Sequence, residues 1–434
     1  MCEASKLSLA LFASMHALTC AEAQLHENRI HESNECIITS ALVHAMRVAH
    51  AACEAALTRV EPMYDADLNA RDSAEYALCK TAVASALENA KTIVSALEYA
   101  STSSFASQTP ADWCSDVAMR AAIDAENIGA VALGVVLLSE FDFIVPPRNL
   151  FFCMLKHSRC YANVRVLRML LSSRKLQSTI CDRDENSQTV LMIASWCGNT
   201  EAIAMLLTCP IVAASADAVS RHGETALMLA VMQGHVETVK ALLACPAVCA
   251  SAGAANNVGN TALMIASQDA SPEPVTLLLA CSTVVASAGA ANQDGDTALI
   301  FASRLGCDRA ITALFACPAV VASATVVNDQ GNTALMLASR YCHIESVFAL
   351  LSCHTVIESA GAINKQGLTA LMFAATNGYA RVVAALLTCP AVIASARTVT
   401  REGFTALTLA LQHRHMETFN VLADAFLANA FSDN

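Results

Sequence analysis

From residue 183 onward, apolar residues fall into two helix-like blocks per cycle, and the cycle returns every 36 residues. Its most regular letters are Thr-Ala-Leu, with threonines at Thr189, Thr225, Thr261, Thr297, Thr333, Thr369 and Thr405. In the cycle from Gly223 to Val258, Gly223 stands where a tight turn needs a positive φ. Thr225 stands at a helix N-cap, where its hydroxyl accepts from a free backbone N–H. Ala226-Leu227-Met228-Leu229-Ala230 then open a first helix, and Gly234 is placed to end it. Val236, Val239, Leu242 and Leu243 form one apolar stripe, which predicts a second helix. Cys245-Pro246 closes that helix, because proline cannot continue the hydrogen-bond ladder. The small apolar segment Ala247–Ala255 reads as an extended or irregular arm, or as one extra helical turn with Pro246 at N1. The first reading is favoured, with a short helical turn in some cycles.

A fixed period of this length marks a stack of repeated units, each burying its apolar face against the next. Alanine at Ala194, Ala230, Ala266, Ala302, Ala338, Ala374 and Ala410 implies a helix contact too close for a longer side chain. The pattern Gly-x-Thr-Ala-Leu-Met, followed by Gly234-His235 and Leu242-Leu243, resembles the ankyrin repeat. The resemblance covers residues 183–434 and implies a mostly α, ankyrin-type helical-repeat solenoid with short turn or hairpin arms. Seven regular repeats would present a concave face to a partner protein. Two features depart from the family pattern. Met228, Ile300 or Thr408 stands where the family has histidine, so apolar packing is expected to replace a threonine–histidine hydrogen bond. The unit is also about three residues longer than the usual ~33, with the surplus around the Cys-Pro step.

Upstream, Val117–Leu138 and Leu150–Leu171 look like degenerate repeats within residues 111–182. Residues 1–110 read as an Ala-rich helical cap region. There Asp65–Asp72 followed by Tyr76-Ala77-Leu78 is similar to a further degenerate turn segment, and Ser101–Pro110 is a linker candidate. Leu7–Leu18 reads as a buried helix rather than a secretory leader, since Glu3 and His16 break the leader pattern.

Composition narrows the function. The chain is 55% hydrophobic but only 5% aromatic, as suits helices packed through small residues. Its formal charge of −12 and its lack of a basic stripe argue against nucleic acid. They favour a monomer. No apolar run is long enough to span a bilayer. Of the 19 cysteines, six share one phase: Cys209, Cys245, Cys281, Cys317, Cys353 and Cys389. Neighbours in that ladder should lie roughly 8–10 Å apart, beyond disulfide reach and too wide for one shared zinc. They are expected to be buried thiols in a reducing, intracellular and cytoplasmic setting.

No catalytic, metal or cofactor constellation is present by spacing. His413 and His415 lie two apart and do not share a helix face; with His235 and His343, His415 is expected to pack a turn. Candidate partner-binding positions are those that vary among repeats while the frame stays constant. At the turn tips these are Arg221, His222, Asn257, Asp294, Asp329, Lys365 and Arg401. At the ends of the first helices they are Trp196, Met232, Gln268, Arg304, Leu305, Arg340, Tyr341 and His413. Arg304 and Arg340 sit on adjacent rungs and would suit a partner carboxylate. The expected function is a non-catalytic protein-binding scaffold. The alternatives are an adaptor whose N-terminal region recruits a second protein and, more remotely, a cysteine-based metal or redox sensor.

Overall fold

In the computed structural model, the described residues are 180–432, together with scattered helical positions upstream. The cap region and linker assigned to residues 1–110 and the degenerate repeats assigned to 111–182 therefore lie outside the described residues, apart from those positions and residues 180–182. Contacts divide the chain into two compact units, residues 1–197 with 204–215 and residues 198–203 with 216–434. In the first unit, residues 42–49 and 51–53 are helical, and Leu42, Ala49 and Cys53 are fully buried. Val190–Cys197 and Pro210–Ala214 are also helices of that unit.

The second unit is a stack of like repeats. Each repeat has a hairpin-like turn followed by a first helix, such as Ala226–Met232 or Ala298–Leu305. A second helix follows and packs on the first, such as Val236–Leu243 or Asp308–Leu314. First helices pack on first helices of the next repeat, and second helices on second helices. The alanines at the first-helix contact, Ala230, Ala302, Ala338, Ala374 and Ala410, have no exposed surface. A larger side chain there would push two backbones apart.

The threonines are N-caps, as their spacing implies. In each repeat the hydroxyl accepts from the backbone N–H three residues on, for example Met228 N–H to Thr225 at 3.2 Å and Met336 N–H to Thr333 at 3.3 Å. Apolar packing is only part of what replaces the family's histidine. The thioether sulfurs of Met192, Met264 and Met336 accept the threonine's own N–H at 3.4–3.5 Å. This closes a capping box with sulfur in the place usually taken by Glu or Gln. In the last repeat the Thr408 hydroxyl does the same for Thr405 at 2.8 Å.

The segment after Cys-Pro is not an extended arm. It is a short third helix in every described repeat but the last: Pro210–Ala214, Pro246–Ser251, Ser282–Ser287, Pro318–Ala322, His354–Glu358 and Pro390–Ser395. Each phase cysteine takes an extended N-cap conformation, and its carbonyl accepts from four residues on, as in Cys249 N–H to Cys245 O at 3.0 Å. Proline at N1 pre-sets φ for the turn, and alanine favours helix. One valine anchors each third helix, as Val248, Val284 and Val320 do here, all buried. The last second helix, Met416–Ser432, meets no Cys-Pro step and runs for 17 residues.

Glycine at the end of the first helix meets two demands at once. Gly306 has φ +78, and a Cβ there would collide with the His343 ring of the next repeat. His343 Nε2 in turn lies 3.1 Å from the Arg304 carbonyl, and His415 Nε2 lies 3.1 Å from that of Thr376. Where glycine is missing, the chain accepts strain or changes course. Cys342 and Arg414 keep the left-handed turn at φ 65 and 61. With Ala270, the first helix stops after five residues, Ala262–Ala266, and the second begins only at Glu273.

Two substitutions should therefore move stability in opposite directions. Cys342→Gly is expected to stabilise by about 1 kcal/mol, by relieving a left-handed non-glycine residue. Gly306→Ala should destabilise by at least ~1–2 kcal/mol, from the same backbone term plus the clash with His343. Urea midpoints at unchanged slope would check both.

Candidate partner-binding surface

At most tips an Asx turn shapes the chain, and at two the hydroxyls of Ser220 and Thr400 take the same part. Asn328 Oδ1 accepts the N–H groups of Gln330 and Asn332 at 3.1 and 3.0 Å, and Asn292 and Asn364 repeat the motif. Four tips then donate a backbone N–H to the tip before them. The pairs are Asn257 to His222, Gln293 to Val258, Asp329 to Asp294 and Lys365 to Gln330, at 2.9–3.2 Å. Side chains run a parallel course, from Asn292 Nδ2 to Asn260, Asn328 Nδ2 to Asp296 and Asn364 Nδ2 to Asn332. The tips are therefore held in fixed register, and their outer side chains project from a rigid edge.

The selected tip residues Arg221, His222, Asn257, Asp294, Asp329, Lys365 and Arg401 are all exposed. Asn257 is partly committed, since its Nδ2 bonds the Arg221 carbonyl at 3.0 Å. At the first-helix ends, Met232, Gln268, Leu305, Arg340, Tyr341 and His413 are exposed. Trp196 is exposed as well, but it belongs to the first unit. Within the second unit, these helix ends lie at equivalent places on helices packed side by side.

Arg304 is the exception, being only half-buried. Its Nη1 pairs with Asp296 Oδ2 at 2.6 Å, and that carboxylate is 2% exposed against 33% for the arginine. Asp296 Oδ1 also accepts from Asn328 of the next repeat. The guanidinium further lies 4.7 Å from the centre of the Phe301 ring. Its carboxylate is thus supplied from within its own repeat. Arg340 differs because Asn332 stands in the place of Asp296. Its guanidinium lies 5.7 Å from the centre of the Tyr341 ring and 5.5 Å from that of Phe373. Such stacking orients the charge while leaving its edges exposed.

A few other titratable groups pack repeats together. Cys307 fills the histidine position of its repeat, and its Sγ donates to the Gln268 carbonyl at 3.5 Å. Burial pushes this thiol's pKa up, and the carboxylates of Asp269 and Asp308 act in the same direction, so the donor proton is retained. Lys240 bridges Glu237 at 2.8 Å and Glu273 of the next repeat at 3.1 Å. Its hydrogen bond to Glu237 raises its pKa, with Glu273 adding to the effect. The His413 and His415 rings are 6.2 Å apart, but His415 is engaged with the Thr376 carbonyl. Among the described residues, no three His, Cys, Asp or Glu side chains converge on a common point.

A sequence model of ankyrin repeats matches the chain three times, at residues 211–287, 284–359 and 353–430. Together the matches span just over half of the chain. The chain belongs to the ankyrin repeat family. No curated protein shows significant similarity to it. Set against the ankyrin pattern, the extra third helix is where this repeat departs most.

The structure also exposes a row of this ankyrin array that the sequence reading did not single out. Val327, Ile363 and Val399 occupy the position just before the residue whose side-chain oxygen shapes the tip, Asn328, Asn364 and Thr400, and are each about half exposed. Their signal in the sequence is β-branched apolar residues at a phase where Ala255 and Ala291 stand in other repeats. They were hidden because the segment read as one small apolar arm.

The two arginines should respond differently to charge reversal. Arg304→Glu sets a second carboxylate against buried Asp296 and is expected to cost about 2–4 kcal/mol. Arg340→Glu removes only exposed ring stacking and should cost about 1 kcal/mol or less. Thermal unfolding of the two variants would compare them directly.

Proposed function

We propose that the array binds a partner protein along the edge formed by its turn tips and first-helix ends. Ankyrin repeats generally act as protein–protein interaction modules and are typically non-catalytic. The observation that carries this placement is the row of large apolar side chains at the first-helix ends. Met232 is 42% exposed, Leu305 49% and Tyr341 45%, in an array whose neighbouring first-helix residues are almost wholly buried. Apolar and aromatic groups beside an exposed arginine are the types enriched at interface hot spots. The rigid register of the tips supports binding without a large ordering cost.

In this reading Leu305, Arg340 and Tyr341 are the anchors, flanked by Asp329 and Lys365 at the tips. Arg304 shapes the site and holds Asp296 rather than meeting the partner's carboxylate itself. The surface is acidic overall, so a protein partner is favoured over nucleic acid. No helix among the described residues is long and apolar enough to cross a membrane. The free buried thiols Cys307, Cys317, Cys353 and Cys389, against one bonded pair among the described residues, Cys249–Cys281, support a reducing, intracellular location. A monomeric binding module is the simplest assembly consistent with the net charge.

Proximity labelling in the native cell, comparing the natural chain with Leu305→Asp/Tyr341→Ala, tests the placement. Neither residue is buried, so circular dichroism should stay unchanged. Recovery of specific partners should fall about tenfold or more, as loss of interface anchors implies. An identical partner profile from both proteins would move the binding surface elsewhere.

A further inference from the structure

Adjacent third helices are joined covalently at one place. Cys281 caps the helix Ser282–Ser287, and Cys249 lies one turn inside the preceding third helix, Pro246–Ser251. The two form a disulfide with their Cα atoms 6.5 Å apart. Cys281, expected from its phase to be a free buried thiol, is bonded instead to Cys249, which lies off the ladder of phase cysteines. In the other repeats its position holds Ala213, Val285, Val321, Ile357 and Ile393, so the arrangement occurs once.

The array itself supplies an internal control. Two repeats further on, Thr355 Oγ1 donates to the Val321 carbonyl at 3.2 Å, and Cys353 Sγ lies 3.2 Å from Thr355 Oγ1. Thr283 makes the same bond to the Cys249 carbonyl, with Cys281 Sγ 3.2 Å from its hydroxyl. The backbone approach that brings Cys249 and Cys281 together therefore exists where no second sulfur is present. The stack does not need the covalent bond, and the bond forms where the fold already positions its atoms.

The bond also closes a loop around a specific repeat. Between Cys249 and Cys281 lie one tip, the five-residue helix Ala262–Ala266 and the helix Glu273–Leu279. This is the repeat that lacks a left-handed cap after its first helix. Its first helix is the shortest in the array.

We propose that Cys249–Cys281 is a reversible redox clamp on this repeat, closed by a small-molecule disulfide and opened by a small-molecule thiol. Cys249 is half-buried and Cys281 is 5% exposed, so exchange enters at Cys249. In closing, the Cys249 thiolate attacks one sulfur of the small disulfide and expels one thiolate, leaving a mixed disulfide. The Cys281 thiolate then attacks the Cys249 sulfur and expels the second thiolate. Two electrons pass from the protein sulfurs to the small disulfide, and the two cysteine protons end on the two released thiols. Opening reverses both steps. A closed clamp restricts local opening of residues 250–280 and leaves the rest of the array unchanged.

The test uses the full chain equilibrated in glutathione buffers of graded ratio. Free thiols are blocked by alkylation, the linked peptide is quantified by mass spectrometry, and hydrogen exchange is followed across residues 256–279. The linked peptide should dominate in oxidised buffer and vanish in reduced buffer, and closure should slow exchange there on the order of 100-fold. Cys249→Ser should remove the linkage and its protection while circular dichroism stays unchanged. Val321→Cys should create a second linkage, to Cys353, with the same dependence on buffer. Alkylated Cys249 and Cys281 in oxidised buffer would overturn the proposal. So would a linkage that survives reduced buffer, or exchange that is indifferent to closure.

Discussion

The distance between successive first helices sets everything else in the array. An alanine with no exposed surface stands at that contact in repeat after repeat, at Ala230, Ala302, Ala338, Ala374 and Ala410. With the helices held this close, each tip falls within hydrogen-bonding reach of the next, and Asn257, Gln293, Asp329 and Lys365 donate across the gap. The histidine of one repeat comes to rest against the glycine of the one before. Even the cross-repeat bonds of Thr283 and Thr355 depend on the same advance per unit. Loosening one alanine contact would disturb tip, cap and third helix together, because all three share a single spacing.

Much of this frame could be read from residue types alone. Threonine before Ala-Leu is a cap signal with a local cause, and local causes survive without knowledge of the fold. The alanine phase and the 36-residue period are equally local in form. The third helix was harder. A run such as Ala-Val-Cys-Ala-Ser-Ala carries no amphipathic period, and a single buried valine anchors it. Its cysteine cap offers no side-chain oxygen to advertise itself, yet the cysteine carbonyl begins the helix all the same.

The candidate surface was legible in outline and misread in one detail. Exposure at the tips follows from their variability among repeats, and the selected tip residues are exposed. Arg304 and Arg340 look alike in sequence, but the residue eight positions earlier differs, aspartate in one repeat and asparagine in the next. That substitution turns one arginine inward as a counter-charge and leaves the other stacked on aromatic rings. The Cys249–Cys281 bond was out of reach for a related reason. It joins residues 32 apart, a separation that falls between multiples of the repeat.

The cross-repeat bonds have a bearing on how such a chain can change in length. Tip N–H groups meet carbonyls 35 residues earlier, and histidine rings meet carbonyls 39 residues earlier. Both offsets refer to the immediately preceding unit and to nothing beyond it. Removing or duplicating a whole 36-residue unit keeps the backbone bonds between tips in register at the junction. An insertion of any other length inside a helix shifts the register of the bonds at its own junctions. The array can therefore gain or lose whole units with its backbone ladder intact, and only the side chains particular to one junction are exchanged.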